Sequence, residues 1–308
     1  MKTRAFQQVD VFSATPYLGN PLAVVLDGAE LTSQEMQHFA HWTNLSETTF
    51  LLPPSAVGAD YHVRIFTPGG ELPFAGHPTL GSCHAWLQAG GVSKANGEIV
   101  QQCGVGLVRI QRDGARLRFA APPVRRSQPS AAAVAQVTAA MGLQPGQIIA
   151  TQLLDNGPVW FSLLLDSTQT VLQLTPDYQA LKDLRLEVGV VALEHAREPS
   201  LLIARSNREA RASAARDSNA GDASADTPDI EVRAFAAGIG VNEDPVTGSL
   251  NASLAQWLIG DGFLPKNYVA AQGSCLGRAG RVYVTQDDAG QVWVGGDVVT
   301  CIDGGVFL

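Results

Sequence analysis

Short stretches of alternating apolar and polar residues dominate the chain, broken by Gly, Pro and Asx turns. In the first half this pattern predicts strands at residues 6–12, 22–26, 48–52, 61–66, 98–102, 107–112 and 117–121. Tyr17-Leu18-Gly19-Asn20-Pro21 reads as a turn and Asp113-Gly114 as a hairpin. In the second half it predicts strands at 148–153, 160–165, 188–193, 201–204, 281–285 and 292–298, with a hairpin at Asp287-Asp288. Helical spacing is confined to a few segments. Thr32-Ser33-Gln34-Glu35 has the form of a capping box and opens a helix to about Thr43. Residues 131–141 form another, with Gly142 at its end, and a short one lies near 176–181.

Two further helices share a sequence device. Phe74-Ala75-Gly76-His77-Pro78-Thr79-Leu80-Gly81-Ser82 and Gly240-Val241-Asn242-Glu243-Asp244-Pro245-Val246-Thr247-Gly248-Ser249 both contain Pro-x-x-Gly-Ser after a polar residue. Each leads into a small, apolar stretch ending in Trp-Leu and then Gly. Proline is tolerated at the first helical position, so Pro78 and Pro245 are expected to open helices, the second running to about Ile259. Helix starts expose free N–H donors and a partial positive charge. Two of them, one per half, predict a carboxylate-bearing ligand held between related lobes.

At 308 residues the chain is long for one core, so two domains are expected. The boundary is placed at Ala121-Pro122-Pro123. Residues 1–121, with 300–308 able to complete them, form one lobe and 122–299 the other. A net charge of −8 argues against nucleic-acid binding. No apolar run reaches membrane-spanning length, and the first ten residues read as a strand without an apolar signal core, so a cytoplasmic protein is expected. Four scattered cysteines lack metal-type spacing and are expected to be reduced and mostly buried. Residues 206–229 are rich in Ala, Ser, Arg, Asn and Asp with almost no large apolar side chain, and read as a mobile surface insertion.

Dinucleotide, P-loop, metalloprotease and nucleophile-triad patterns are missing, which leaves acid–base groups near the two helix starts. Glu47 precedes the apolar strand at 48–52, where desolvation would raise its pKa toward the range useful for proton transfer; a solvated strand-start residue is the plain alternative. His77 either bonds a ligand carboxylate or braces its own loop. Asp244 reads locally as an N-cap, and Ser82 and Ser249 as structural residues whose hydroxyls could reach an anion.

Five strings together resemble the PhzF-like family of phenazine-biosynthesis isomerases. They are Gly19-Asn20-Pro21-Leu22-Ala23-Val24, Ser46-Glu47-Thr48-Thr49-Phe50, Arg64-Ile65-Phe66-Thr67-Pro68, Glu71-Leu72-Pro73-Phe74-Ala75-Gly76-His77-Pro78-Thr79-Leu80-Gly81 and Asn242-Glu243-Asp244-Pro245-Val246-Thr247-Gly248-Ser249. The likeness spans nearly the whole chain. It implies a mixed α/β fold similar to diaminopimelate epimerase: two pseudo-symmetric lobes, each a curled, mostly antiparallel sheet around a central helix. It implies a cofactor-independent isomerase and a homodimer, with no metal. Glu47 would shuttle the proton, as in isomerisation of trans-2,3-dihydro-3-hydroxyanthranilate. His77, Gly76, Asp244, Gly248 and Ser249 would bind the substrate. Arg233-Ala234-Phe235-Ala236-Ala237-Gly238 departs from the family's Arg-Phe-Phe-Ala-Pro pattern, which bears on substrate shape. An amino-acid racemase of the related fold needs two opposed thiols, and no cysteine stands at either helix start. A non-catalytic small-molecule binder is the third class, against which Glu47 weighs.

Overall fold

A computed structural model describes residues 1–95, 97–194 and 227–308. The chain folds as one topology used twice. The first copy comprises strands β1 (Thr3–Val11), β2 (Asn20–Val25), β3 (Thr48–Leu52), β4 (Tyr61–Thr67), β5 (Gly70–Leu72), β6 (Glu98–Cys103), β7 (Gly106–Asp113) and β8 (Arg116–Ala120). Helix α1 (Ser33–Thr43) links β2 to β3, and α2 (Gly76–Gln88) links β5 to β6. A short strand β9 (Arg125–Ser127) and helix α3 (Ala131–Ala140) then lead into the second copy. That copy comprises β10 (Ile148–Asp155), β11 (Val159–Leu165), β12 (Glu187–Leu193), β13 (Ile230–Ala236), β14 (Val241–Asp244), β15 (Asn267–Gln272), β16 (Gly280–Gln286) and β17 (Val292–Gly296). Helices α4 (Thr168–Gln173) and α5 (Tyr178–Leu184) take the place of α1, and α6 (Gly248–Gly260) that of α2.

The pairings correspond step for step. β1 and β2 are antiparallel, β2 and β3 parallel, β3 and β4 antiparallel, and β4 pairs in parallel with β6. Likewise β10 and β11 are antiparallel, β11 and β12 parallel, β12 and β13 antiparallel, and β13 pairs in parallel with β15. The copies are tied together twice. β8 pairs with β17, and the last strand, β18 (Val298–Phe307), returns to pair along β1.

Each central helix is buried because its sequence is apolar or small on nearly every side. Leu80, Cys83, Ala85, Leu250, Leu254 and Trp257 belong to a single apolar core shared by both copies, while α3, α4 and α5 cover a second core over β11 and β12. Helix α1 starts as its sequence predicts. The Thr32 side chain accepts the Glu35 amide, the Glu35 carboxylate accepts the Thr32 amide, and Asn44 in the left-handed conformation ends the helix.

Several expectations need correction. Pro78 is the third residue of α2, and Pro245 lies two residues before the N-cap of α6, so neither opens its helix. The first helical residues are Gly76 and Gly248, and the two Pro-x-x-Gly-Ser strings are therefore out of structural register. Asp244 is not an N-cap; Thr247 holds that position. Only Cys83 and Cys103 are buried, Cys275 is exposed, and all four are free thiols. The strand expected over 292–298 is interrupted at Asp297. The strand expected at 201–204 and most of the 206–229 segment lie outside the described residues. Among the described residues, no helix is long and apolar enough to cross a membrane.

Candidate active site

The two central helices meet start to start. A Cβ on Gly76 would lie 2.7 Å from the Gly248 Cα, so only glycine permits this approach. The N-caps, Ala75 and Thr247, are extended and neither caps its helix with a side chain. Thr247 spends its hydroxyl on Asp244 instead, at 2.6 Å. First-turn amides of two 13-residue helices thus converge without side-chain acceptors from their own caps, each end carrying roughly half a positive charge.

A cavity of about 170 Å³ lies at this junction. Glu47, Asp244 and Ser249 line it; Leu72, Pro73, Phe74 and Val241 give it apolar walls. His77 and Ser249 are each the second residue of their helix, and both are buried. His77 stands behind Glu47, its Nε2 3.3 Å from Glu47 Oε2, with the Glu47 side chain 14% exposed and that of His77 3%. The two atoms are not aligned as a hydrogen bond, and neither has another partner. Buried polar atoms without a partner call for an ordered water, a ligand or a role in chemistry. Ser82 is elsewhere, donating to Thr49 Oγ1 at 2.9 Å inside the core.

Asn20 organises the cluster. Its amide nitrogen donates to Asp244 Oδ1 and to the Val246 carbonyl, both at 2.9 Å, which fixes the amide orientation. The same nitrogen lies 3.3 Å from His77 Nδ1. Both hydrogens of that nitrogen are already directed at Asp244 and Val246, so the imidazole contact is secondary to those two bonds. Ser46 donates more weakly to Asp244 at 3.4 Å. Residues 20, 46 and 47 from one copy and 244, 246 and 247 from the other therefore form one site.

Burial raises the pKa of both carboxyls and lowers that of the imidazole. Burial, reinforced by the charges of Asp244 and Glu187, holds Glu47 well above the ordinary carboxylic range. Burial pushes Asp244 up to about 6 despite hydrogen bonds from Thr247, Asn20 and Ser46. Burial lowers His77 to about 3, so its ring is uncharged at neutral pH. Among the described residues, no lysine, arginine or histidine lines the cavity, and no three His, Cys, Asp or Glu side chains converge as a metal would require.

Two cavity residues escaped the sequence reading. Glu187 is the first residue of β12, pushed up to about 7 by burial and then by the Asp244 charge. Its signal was the one used for Glu47, an acid at the head of an apolar strand (Val188 to Ala192), but no motif flagged it. Trp160 is 3% exposed and donates its indole N–H to Ser249 Oγ at 3.2 Å. A tryptophan in an apolar strand carries no local sign of such a role.

A profile for the family described as phenazine biosynthesis-like protein (PhzC-PhzF) matches residues 9–304. The chain belongs to this family. Over the full length of both chains it is 34% identical to antisense-enhancing sequence 1 of Schizosaccharomyces pombe. It is 30% identical to the trans-2,3-dihydro-3-hydroxyanthranilate isomerase of Pseudomonas aeruginosa, over 97% of this chain and 98% of that one. The crystal structure of a PhzF family protein from Bacillus anthracis superposes on it with a TM-score of 0.77 at 21% identity, covering both chains completely. That likeness establishes the PhzF fold for the two-lobed α/β architecture described above.

Proposed function

We propose that this PhzF family member is a cofactor-independent isomerase that moves a proton between two carbons of a small carboxylate-bearing molecule. Glu47 is the shuttle. Its carboxylate takes a proton from one carbon, and the resulting acid returns it to another, so the substrate is isomerised and the enzyme regained. The observation that carries this reading is the Glu47–His77 pair: a largely buried carboxyl at 3.3 Å from an imidazole, unpinned by any hydrogen bond among the described residues, at the wall of the cavity between the helix starts. A raised pKa makes the ionised form a stronger base, and a carboxyl without a fixed donor is free to turn between two carbons. The ligand carboxylate lies at the amides that Gly76, His77, Gly248 and Ser249 present, while Asp244, which lines the cavity, accepts from a donor group elsewhere on the ligand.

The name of the Pseudomonas aeruginosa relative supports the reaction class, and its substrate is one candidate among small cyclic and amino-acid-like carboxylates. Among the described residues no cysteine lines the cavity, so a two-thiol racemase has nothing in this cleft to carry it. The lobes correspond to residues 1–121 with 300–308, and 122–299, a division supported by the pairing of β18 with β1. The functional unit is a homodimer, checked by light scattering. The reaction is tested by incubating the protein in heavy water with a panel of small carboxylates, including trans-2,3-dihydro-3-hydroxyanthranilate. Isomerisation with label confined to the reacting carbons supports the reading; no turnover and no exchange with any member removes it.

A further inference from the structure

β15 ends in a buried glutamine whose bonds fix the direction of a hydrogen-bond chain. Gln272 is the last residue of the strand and is 1% exposed. Gly273 follows in the left-handed conformation, and a Cβ there would lie 2.7 Å from the Pro245 carbonyl oxygen, so the strand end can press against the loop before α6. The Gln272 amide is fully used. Its Oε1 accepts from the Thr247 backbone N–H at 3.0 Å and from Asn251 Nδ2 at 2.9 Å. Its Nε2 donates to the Asp244 carbonyl at 3.1 Å and to Thr247 Oγ1 at 2.9 Å. A backbone N–H can only donate and a backbone carbonyl can only accept, so this amide has one orientation. Thr247 Oγ1 therefore receives a hydrogen from Gln272 and turns its own toward Asp244 Oδ2, 2.6 Å away.

Asp244 thus accepts on both oxygens, from Thr247 on one and from Asn20 and, more weakly, Ser46 on the other. Glu47 lines the same cavity with no donor on Oε2. When two carboxyls in a desolvated site interact, a shared proton settles on the one whose neutral form disturbs fewer hydrogen bonds. Protonating Asp244 would oppose a chain that Gln272 holds in one direction; protonating Glu47 breaks nothing. The surrounding charges keep this order. Glu243, beside Asp244 on β14, is paired with Arg233 of β13 at 2.8 Å, charge on Glu187 of β12 pushes Glu47 up, and His77 on α2 is uncharged at neutral pH. The first copy has a similar device with a different end. Gln101 of β6, also buried, donates to Thr79 Oγ1 at 3.0 Å, but the Thr79 hydroxyl ends on the Ala75 carbonyl at the head of α2, at 2.9 Å. That chain braces a helix, whereas the chain from Gln272 ends on a cavity carboxylate.

We propose that Gln272 is a positioning residue of this site: acting through Thr247, it keeps Asp244 a hydrogen-bond acceptor and leaves the proton that the two carboxyls share on Glu47. Asp244 is then a fixed acceptor, and Glu47 alone exchanges its proton with carbon. The consequence for turnover rests on the isomerase reading above, whereas the location of the proton is measurable without substrate.

Carbon-13 NMR of the full chain, labelled at the Asp and Glu side-chain carboxyls, follows both groups with pH, and Asp244→Asn and Glu47→Gln assign their signals. In the wild type Asp244 is expected to ionise at lower pH than Glu47. Gln272→Met and Thr247→Val should each raise the Asp244 midpoint by about one pH unit, and Thr247→Ser should leave it in place. Combining Gln272→Met with Thr247→Val should shift it no further than Thr247→Val alone, whereas packing loosened independently at the two positions would give additive shifts. Ionisation in the opposite order, a midpoint indifferent to Gln272→Met or to Thr247→Val, or additive shifts overturns the proposal. A further readout needs no variant to fold. Hydrogen bonds in a chain polarise one another, so the wild-type Gln272 side-chain amide, identified in nitrogen-15 spectra by its proximity to the Thr247 amide, should titrate between about pH 4 and 8. A signal flat over that range overturns the proposal. If the shifts appear but no carboxylate of the panel exchanges deuterium, the chain from Gln272 stands and the isomerase reading fails; turnover with an Asp244 midpoint indifferent to Gln272 gives the reverse.

Discussion

Replacing Glu47 by Gln isolates proton transfer from binding. The amide matches the carboxyl in shape, and Glu47 Oε2 accepts no hydrogen bond that the change would remove. His77 Nε2, 3.3 Å away and not hydrogen-bonded to it, can face an amide oxygen as well as a carboxyl oxygen. Binding is therefore expected to change by no more than a few-fold. Loss of a positioned acid–base group typically costs about 10²–10⁴ in rate, or roughly 3–5 kcal/mol in the barrier. Here the loss should fall at the upper end, because the other cavity carboxyls are placed differently: Asp244 is held by hydrogen bonds, and Glu187 stands on the wall formed by β11 and β12. The assay is turnover and deuterium incorporation in heavy water on whichever carboxylate of the panel the wild type converts, with Kd measured in parallel. Turnover by Glu47→Gln within about tenfold of wild type would place the proton on another group and refute the reasoning.

Gly76→Ala and Gly248→Ala should each destabilise the protein by about 1–3 kcal/mol and abolish activity, because the new Cβ would sit 2.7 Å from the facing glycine; unchanged urea midpoints would show the helix starts can separate freely. Glu187→Gln should alter the pH dependence of stability. A carboxyl whose native pKa is raised from 4.5 to about 7 favours the folded state least when ionised, so wild-type stability falls as pH rises through this window. The variant should match wild type near pH 4 and exceed it near pH 8 by at most about 3 kcal/mol, less to the extent that solvent screens the half-open site; equal melting curves at both pH values would contradict the burial argument. Replacing residues 197–226 by a short Gly–Ser linker should leave the melting temperature within a few degrees, since the Glu194 amide already donates to the Asp229 carbonyl at 2.8 Å and Leu193 pairs with Ile230. A large drop would show that the removed residues are packed.

Much of the fold was legible because local rules decide it. The Thr32–Glu35 capping box, the left-handed stop at Asn44, Gly142 after α3, and the period-two strands around Asp113-Gly114 all depend on residues a few positions apart. Strands with weaker alternation were missed, notably β13, which is buried on both faces and so lacks a polar side to mark its period. The repeated Pro-x-x-Gly-Ser string pointed to the right pair of helices but to the wrong register, because their contact is set by which glycine can approach a neighbouring backbone, not by which proline resembles another.

By itself the sequence determined most of the elements, the acid at the head of β3 and the family. A local window holds everything needed for these: capping partners, alternation, and a motif string. Tertiary structure alone decided that Glu47, Asp244 and Glu187 share one cavity with His77 beside Glu47, and that the copies close through β8 with β17 and β1 with β18. An acid before an apolar strand reads the same whether water or another carboxyl faces it. Only packing of segments more than a hundred residues apart removes the water, and that desolvation is what raises these carboxyls toward the range of proton transfer.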